Sequence, residues 1–172
     1  AEQETGTVMV IDIGAALTKL YIIERGIMRQ SHTISRGSQD ITFAIAKSQT
    51  ISIDKAEILK RRVGLMHEEG QPEISEVIVL VLDYIFSEAE LVLTTYQRKY
   101  LKNVNKIFLV GGGSALRGLS DFAQARFQTD VILGDPFKKV ETPAFLSDIL
   151  KNTGPEFAVA LGIALRRLQE LE

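Results

Sequence analysis

The feature that most constrains this chain is the run Lys106-Ile107-Phe108-Leu109-Val110, followed at once by Gly111-Gly112-Gly113-Ser114. An apolar run bounded by glycine reads as a buried strand, and residues 119–127 beyond it read as a helix. A strand that passes through glycines into a helix implies an α/β sheet. Consecutive glycines let a ligand approach the backbone closely, because no Cβ intervenes. Their amides, with the helix start, suit polar or anionic groups at the carboxyl end of the strand. The spacing is not the dinucleotide fingerprint, since Leu116 stands where a third glycine or alanine is needed. It is not a P-loop either, because Leu119-Ser120 follow Gly118 where Lys and a hydroxyl residue are required. A tight turn without a ligand fits the same residues.

The elements around this strand complete the fold class. Residues 7–11 form an apolar strand closed by Asp12-Ile13-Gly14, residues 17–24 a second, and residues 27–35 a third after the turn Arg25-Gly26. Short connections make these three a meander. The period then changes. Ile41, Ala44 and Ile45 share one helical face, and Asp54 with Glu57 three residues on reads as a capping box opening a helix to Arg62. After a break at Gly70-Gln71-Pro72, residues 73–101 read as a long helix burying Ile74, Val77, Ile78, Val81, Leu82, Ile85, Ala89 and Val92. A short strand at 131–133 and helices near 145–150 and 155–171 follow the glycine turn, Pro155 being acceptable in a first helical turn. The expected architecture is a mixed sheet flanked by helices, with a small helical excursion.

Composition removes several function classes. The formal charge of −2, without a basic run carrying aromatics, gives no pull toward nucleic acid. The absence of cysteine excludes disulfides, thiol nucleophiles and zinc knuckles, and is compatible with a reducing compartment. His32 and His67 are far apart, and His67-Glu68-Glu69 lacks the second histidine of a metalloprotease helix. The longest apolar run, Val77 to Leu82, is far shorter than the roughly 20 residues a bilayer requires, so no direct membrane insertion is expected. Residues 1–6 are acidic and unlike a signal peptide, and they lead straight into a strand, as in a chain that was cut or begins mid-fold.

Two further groups carry chemistry. In Asp12-Ile13-Gly14-Ala15-Ala16-Leu17-Thr18 an acid stands at a strand end, followed by small residues with unobstructed amides and then a hydroxyl. That arrangement suits phosphate oxygens and a water-bound magnesium, although an ordinary hairpin with a turn aspartate is the commoner explanation. Glu57 and Lys60 share a helix face, as a surface ion pair or as a clamp on sugar hydroxyls.

In combination the three groups are more specific than apart. An Asp-x-Gly hairpin, an Ala-Glu-x-x-Lys helix and a Val-Gly-Gly-Gly strand end, in that order, resemble the second half of the actin, Hsp70 and sugar-kinase superfamily. Within it, the chain is most similar over nearly its whole length to the PilM family of FtsA-like type IV pilus assembly proteins. The residues that carry this are Asp12 to Thr18, Arg36-Gly37-Ser38 with Ile41-Thr42, Ala56 to Lys60, Leu109 to Gly113, Asp135-Pro136-Phe137, and Gly154-Pro155-Glu156-Phe157-Ala158 through Arg166.

The resemblance implies an actin-like ATPase fold, here its subdomains 2A (residues 1–36 and 72–172) and 2B (residues 37–71), with the first half absent. It implies ATP and magnesium as ligands. Gly14, Ala15, Ala16 and Thr18 would face the phosphates and Asp12 would reach magnesium through water. Glu57 and Lys60 would meet the ribose or adenine, and Gly111, Gly112, Gly113 and Ser114 would bed the adenosine. No catalytic residue is implied. A lone half is expected to bind nucleotide weakly or not at all and to hydrolyse none. The implied role is a cytoplasmic scaffold, held peripherally at the inner membrane by an inner-membrane pilus assembly protein through the full fold. The small residues Ala158 and Gly162 would meet the missing first half or another copy. Ser38, Lys19 and Gly64 depart from the family pattern, Gly64 offering no side chain to the adenine edge. The alternatives are a nucleotide-free interaction module and half of a sugar or acyl kinase; no separate acidic base supports the kinase.

Overall fold

The computed structural model describes residues 6–66 and 72–171. The expectations for residues 1–5, for His67-Glu68-Glu69 and for the break at Gly70-Gln71 lie outside the described residues. A five-stranded mixed sheet runs in the order β3-β2-β1-β4-β5. Its strands are β1 (Thr7–Ile13), β2 (Thr18–Glu24), β3 (Ile27–Ile34), β4 (Lys106–Val110) and β5 (Asp130–Leu133). The meander β1-β2-β3 is antiparallel, whereas β4 and β5 run parallel to β1. The central strand β1 buries Met9, Ile11 and Ile13, as a strand with neighbours on both sides should.

The helices are α1 (Ser38–Gln49), α2 (Ile53–Val63), α3 (Pro72–Tyr100), α4 (Leu119–Phe127), α5 (Ser147–Thr153) and α6 (Ala158–Gln169). Helix α3 buries Ile74, Ile78, Leu82, Ile85, Phe86, Ala89, Val92, Leu93 and Tyr96, while Val77 and Val81 pack only partly against the core. Phe86 and Tyr96 broaden the stripe expected from the sequence. Phe86 packs against Phe122 and Phe127 of α4, with ring centroids at 5.7 and 5.1 Å. Each such buried side chain is worth about 1.5–3 kcal/mol of transfer free energy. One core serves both parts of the chain, because Ile41, Ile45, Ala56 and Val63 of α1 and α2 join the cluster containing Met9, Ile78 and Phe86.

Three differences from the sequence reading bear on the site. Strand β1 continues through Asp12 and Ile13, because both pair with β2, as Asp12 with Lys19 and Ile13 with Thr18. Helix α2 is capped by Ser52, whose hydroxyl accepts from the Lys55 amide, so Asp54 lies in the first turn and no Asp54–Glu57 capping box forms. A 3₁₀ turn, Gly154–Phe157, precedes α6. That turn also accounts for Pro155, whose carbonyl accepts from the Gly111 amide at 2.8 Å.

Candidate functional site

Parallel pairing of β1 with β4 sets two strand ends side by side, and the candidate residues gather there. Asp12 is paired with Val110, the residue before the glycine turn. Gly111 adopts φ +83°, and a Cβ on it would lie 2.4 Å from Asp12 Oδ1 and 2.6 Å from the Ile13 carbonyl oxygen. Gly113 is buried, and a Cβ there would lie 2.3 Å from Ile13 Cγ2. Both glycines are therefore demanded by the fold itself. Gly112 differs, being exposed, with its nearest would-be contact Glu156 Cγ at 3.7 Å. It is the glycine of the three that presents open backbone.

The turn between β1 and β2 is braced from the other side. The Gly14 and Ala15 carbonyls accept from the amides of Ser38 and Gln39 at 2.9 and 2.8 Å. That contact explains Gly37, where a Cβ would stand 2.4 Å from the Ala15 carbonyl oxygen. Ala15 and Ala16 remain exposed at the tip. Thr18 is fully buried and its hydroxyl donates to the Arg36 carbonyl at 2.9 Å. Ser114 is likewise buried, donating to the Gly111 carbonyl at 2.7 Å. These two hydroxyls thus stabilise turns. Burial raises the Asp12 carboxyl above its ordinary range, and the facing charge of Lys19 only partly opposes this.

Glu57 and Lys60 form the centre of a polar tie between α1 and α2. Lys60 is 6 % exposed. Its ammonium lies 2.7 Å from Glu57 Oε2, 3.0 Å from the Thr42 hydroxyl, and 3.2 Å from both the carbonyl and hydroxyl oxygens of Ser38. Its three N–H donors thus meet four oxygens of the protein. Ser38, a departure from the family pattern, thereby has a local reason. The Thr42 hydroxyl donates to Glu57 Oε2 at 2.6 Å and Arg61 Nε donates to Oε1 at 2.8 Å. Burial pushes the Glu57 carboxyl up, but the hydrogen bonds from Lys60, Thr42 and Arg61 outweigh it and hold the pKa at about 2.

That value carries a pH prediction. The folded pKa of about 2 lies below the ordinary 4.5, so Glu57 stabilises the fold fully above pH 4.5 and progressively less as pH falls toward 2. With the side chain a third exposed, solvent screening reduces the expected contribution to about 1–2 kcal/mol. Urea unfolding at pH 6 and pH 3 should show a smaller acid loss in Glu57→Gln than in the parent. Equal losses would show that Glu57 is not the group responsible.

Between these elements lies a cleft of about 280 Å³, lined by Ser38, Ile41, Glu57, Lys60, Arg61, Gly112, Gly113, Ala115, Leu116 and Glu156. It brings the α2 pair and the glycine turn together from positions far apart in sequence. Ile41, Arg61, Ala115, Leu116 and Glu156 were not singled out as site residues from the sequence. The Glu57–Arg61 spacing alone offered a signal, whereas Glu156 reaches the cleft only because the Gly154–Phe157 turn docks on Gly111. Gly64, expected at a ligand edge, caps α2 at φ +59° with a would-be Cβ 2.6 Å from the Arg117 carbonyl oxygen. No group of three or more His, Asp or Glu side chains suited to a metal occurs among the described residues.

At the far end, α6 has no buried residue, and Val159, Ile163 and Leu168 are all about 60 % exposed or more. Gly162 is open, with no atom within 4 Å of a would-be Cβ. Among the described residues, no helix is long and apolar enough to cross a membrane.

Known proteins share this fold. Residues 1–168 match the family model of the type IV pilus assembly protein PilM. The solved structure of a PilM–PilN type IV pilus biogenesis complex superposes with a TM-score of 0.83 at 30 % identity, covering 96 % of this chain and 47 % of that one. MreB5 of Spiroplasma citri bound to AMPPNP shares the fold at a TM-score of 0.71 and 16 % identity, over 96 % of this chain and 54 % of that one. The cell division protein FtsA of Staphylococcus epidermidis is 29 % identical over 171 residues, 86 % of this chain and 36 % of FtsA. The chain thus spans about half or less of the length of these relatives. On the strength of the family match along its length and the sheet order and strand-end turns described above, the chain belongs to the PilM family of type IV pilus assembly proteins and has their actin-like fold.

Proposed function

We propose that this chain supplies one wall of an ATP site in a scaffold for type IV pilus assembly. The observation that carries the reading is the 280 Å³ cleft, which joins α2 to the open backbone of Gly112 beside the β1–β2 turn. Ile41, Ala115 and Leu116 provide apolar surface for a base. The exposed turn Gly14-Ala15-Ala16 would receive the phosphates. Magnesium fits Asp12 as a single half-buried carboxylate, with phosphates and water completing its shell. The ion would neutralise phosphate charge there. Lys60, Glu57, Thr18 and Ser114 act by holding helices and turns in place. Residues 37–71 form the smaller lobe and the remainder the larger. The α6 face meets the other half of the fold, and an inner-membrane pilus protein holds the assembly at the cytoplasmic face of the membrane.

A second reading, an interaction module without nucleotide, draws on the exposure of Val159, Ile163 and Leu168. Calorimetric titration of Mg-ATP into the chain, and into a form extended upstream by the first half of the fold, separates the two. Binding in the extended form, with weak or no binding to the chain alone, is expected. Absence of binding in both forms would sink the nucleotide reading and leave the interaction module. Turnover by the chain alone that disappears on Asp12→Asn would overturn the expectation that it hydrolyses no ATP.

A further inference from the structure

A second cavity, of about 480 Å³, lies where the β2–β3 turn faces the end of α3, at the opposite end of β2 from the Gly14 turn. It is lined by Glu24, Met28, Arg29, Tyr96, Tyr100 and Lys102. Neighbours along a regular strand point to opposite faces. Met28 and Arg29 nevertheless both line the cavity, because the register of β2 with β3 shifts between Ile22 and Ile23 and leaves Arg29 without a cross-strand partner. A bulge of this kind re-aims side chains. Arg29 Nε donates to Glu24 Oε2 at 3.0 Å, and Lys102 donates to Oε1 of the same carboxylate. The terminal nitrogens of Arg29 donate to none of the described residues. The rings of Tyr96 and Tyr100 lie 4.8 Å apart, and the Lys99 ammonium stands 5.1 Å from the Tyr100 ring centroid.

The chain as a whole carries a formal charge of −2, yet this corner is basic, with Arg25 in the turn, Arg29, Lys99 and Lys102 beside the carboxylate of Glu24. Apolar surface accompanies the charge. Met28 and Tyr100 are exposed, and Leu101, between two lining residues, ends α3 at φ +52° and is 91 % exposed. Glycine or asparagine is usual in that conformation. We propose that this corner binds an acidic peptide segment of a partner protein. An Asp or Glu carboxylate of the peptide pairs with the terminal nitrogens of Arg29 and with Lys102, and a neighbouring apolar side chain enters the cavity against Met28 and Tyr100. Glu24, held between Arg29 and Lys102, shows that the corner is built for carboxylates, and a guanidinium offers a second one two parallel bonds. The recess also favours a peptide over a bilayer, because a side chain can enter it whereas a membrane meets projecting groups. None of this depends on nucleotide binding.

The test is fluorescence anisotropy of labelled peptides with the upstream-extended protein, without nucleotide. The probes are Asp-Glu-Phe-Glu-Asp, the same peptide with alanine for phenylalanine, and Lys-Lys-Phe-Lys-Lys. The acidic Phe peptide is expected to bind, the alanine form about tenfold more weakly, and the lysine form not at all. Arg29→Gln and, separately, Lys102→Gln are each expected to weaken the acidic Phe peptide by about tenfold, the scale of one hydrogen bond to a charged group. Lys47→Gln, the same charge change at an exposed position on α1, is expected to leave it unchanged. Matching thermal melts establish that each variant folds. Equal losses in Arg29→Gln and Lys47→Gln overturn the proposal, since the attraction is then to net charge. Failure of the parent to bind the acidic Phe peptide, or equal binding of the lysine peptide, overturns it as well. Sedimentation with phosphatidylserine–phosphatidylcholine vesicles that Arg29→Gln abolishes, in a protein that ignores the peptides, overturns it in favour of a membrane contact. Self-association that Arg29→Gln abolishes, again without peptide binding, overturns it in favour of a second copy.

Discussion

Replacing Glu57 by alanine is expected to destabilise the fold by about 2–3 kcal/mol, less than the roughly 3–5 kcal/mol that breaking a fully buried ion pair costs. The reason is Lys60. Its ammonium is 6 % exposed and lies closest, at 2.7 Å, to Glu57 Oε2. Without that carboxylate the charge keeps only the uncharged oxygens of Ser38 and Thr42. The Thr42 hydroxyl loses its acceptor at 2.6 Å as well. Because Glu57 is itself a third exposed, water that enters the gap moderates the loss. Adding Lys60→Met to the alanine variant should recover a large part of the stability, since removing both partners leaves no stranded charge. Urea unfolding of both variants measures this. A loss below about 0.5 kcal/mol in Glu57→Ala would place the pair among ordinary surface ion pairs.

Gly111→Ala should cost about 3 kcal/mol, and Gly112→Ala almost nothing in stability. At Gly111 the backbone lies at φ +83°, a region where a side chain is strained at a cost of about 1–3 kcal/mol. The new Cβ would also stand 2.4 Å from Asp12 Oδ1 and 2.6 Å from the Ile13 carbonyl, so β1 and β4 would have to part where they carry the site. Overpacking of this kind costs about 1–3 kcal/mol in its own right. At Gly112 the nearest contact of an added methyl is ordinary, 3.7 Å from a flexible side chain. Thermal melts of the two variants should therefore separate clearly, while nucleotide affinity in the extended protein should fall for both. Equal melting temperatures would contradict the division between Gly111, which the fold needs, and Gly112, which presents open backbone.

Much of this was legible beforehand. The meander, the long helix and the strand leading into Gly111 follow from local pattern, because period, β-branching and glycine act within a few residues. The order of the motifs was enough to indicate the family. Helix caps were less legible: Ser52 and Asp54 both suit an N-cap, and the choice depends on where the chain leaves α1. The roles of Thr18 and Ser114 were also hidden, since a hydroxyl near a turn looks the same in sequence whether it points outward or back into a carbonyl.

The residue types alone determined which chemistry was available. They supplied an acid at a strand end, small residues in a hairpin, three glycines after an apolar strand, and a Glu–Lys pair on one helix face. Only the tertiary structure decided how these were used. Parallel pairing of β1 with β4 brought Asp12 against Gly111, and packing of α1 on α2 enclosed Lys60 among four oxygens. Docking of Pro155 on the Gly111 amide carried Glu156 into the cleft. Hydrogen-bonding capacity is limited, so what a polar group can still offer a ligand depends on what it already touches, and those contacts join residues far apart in the chain, as Gly111 and Pro155 are.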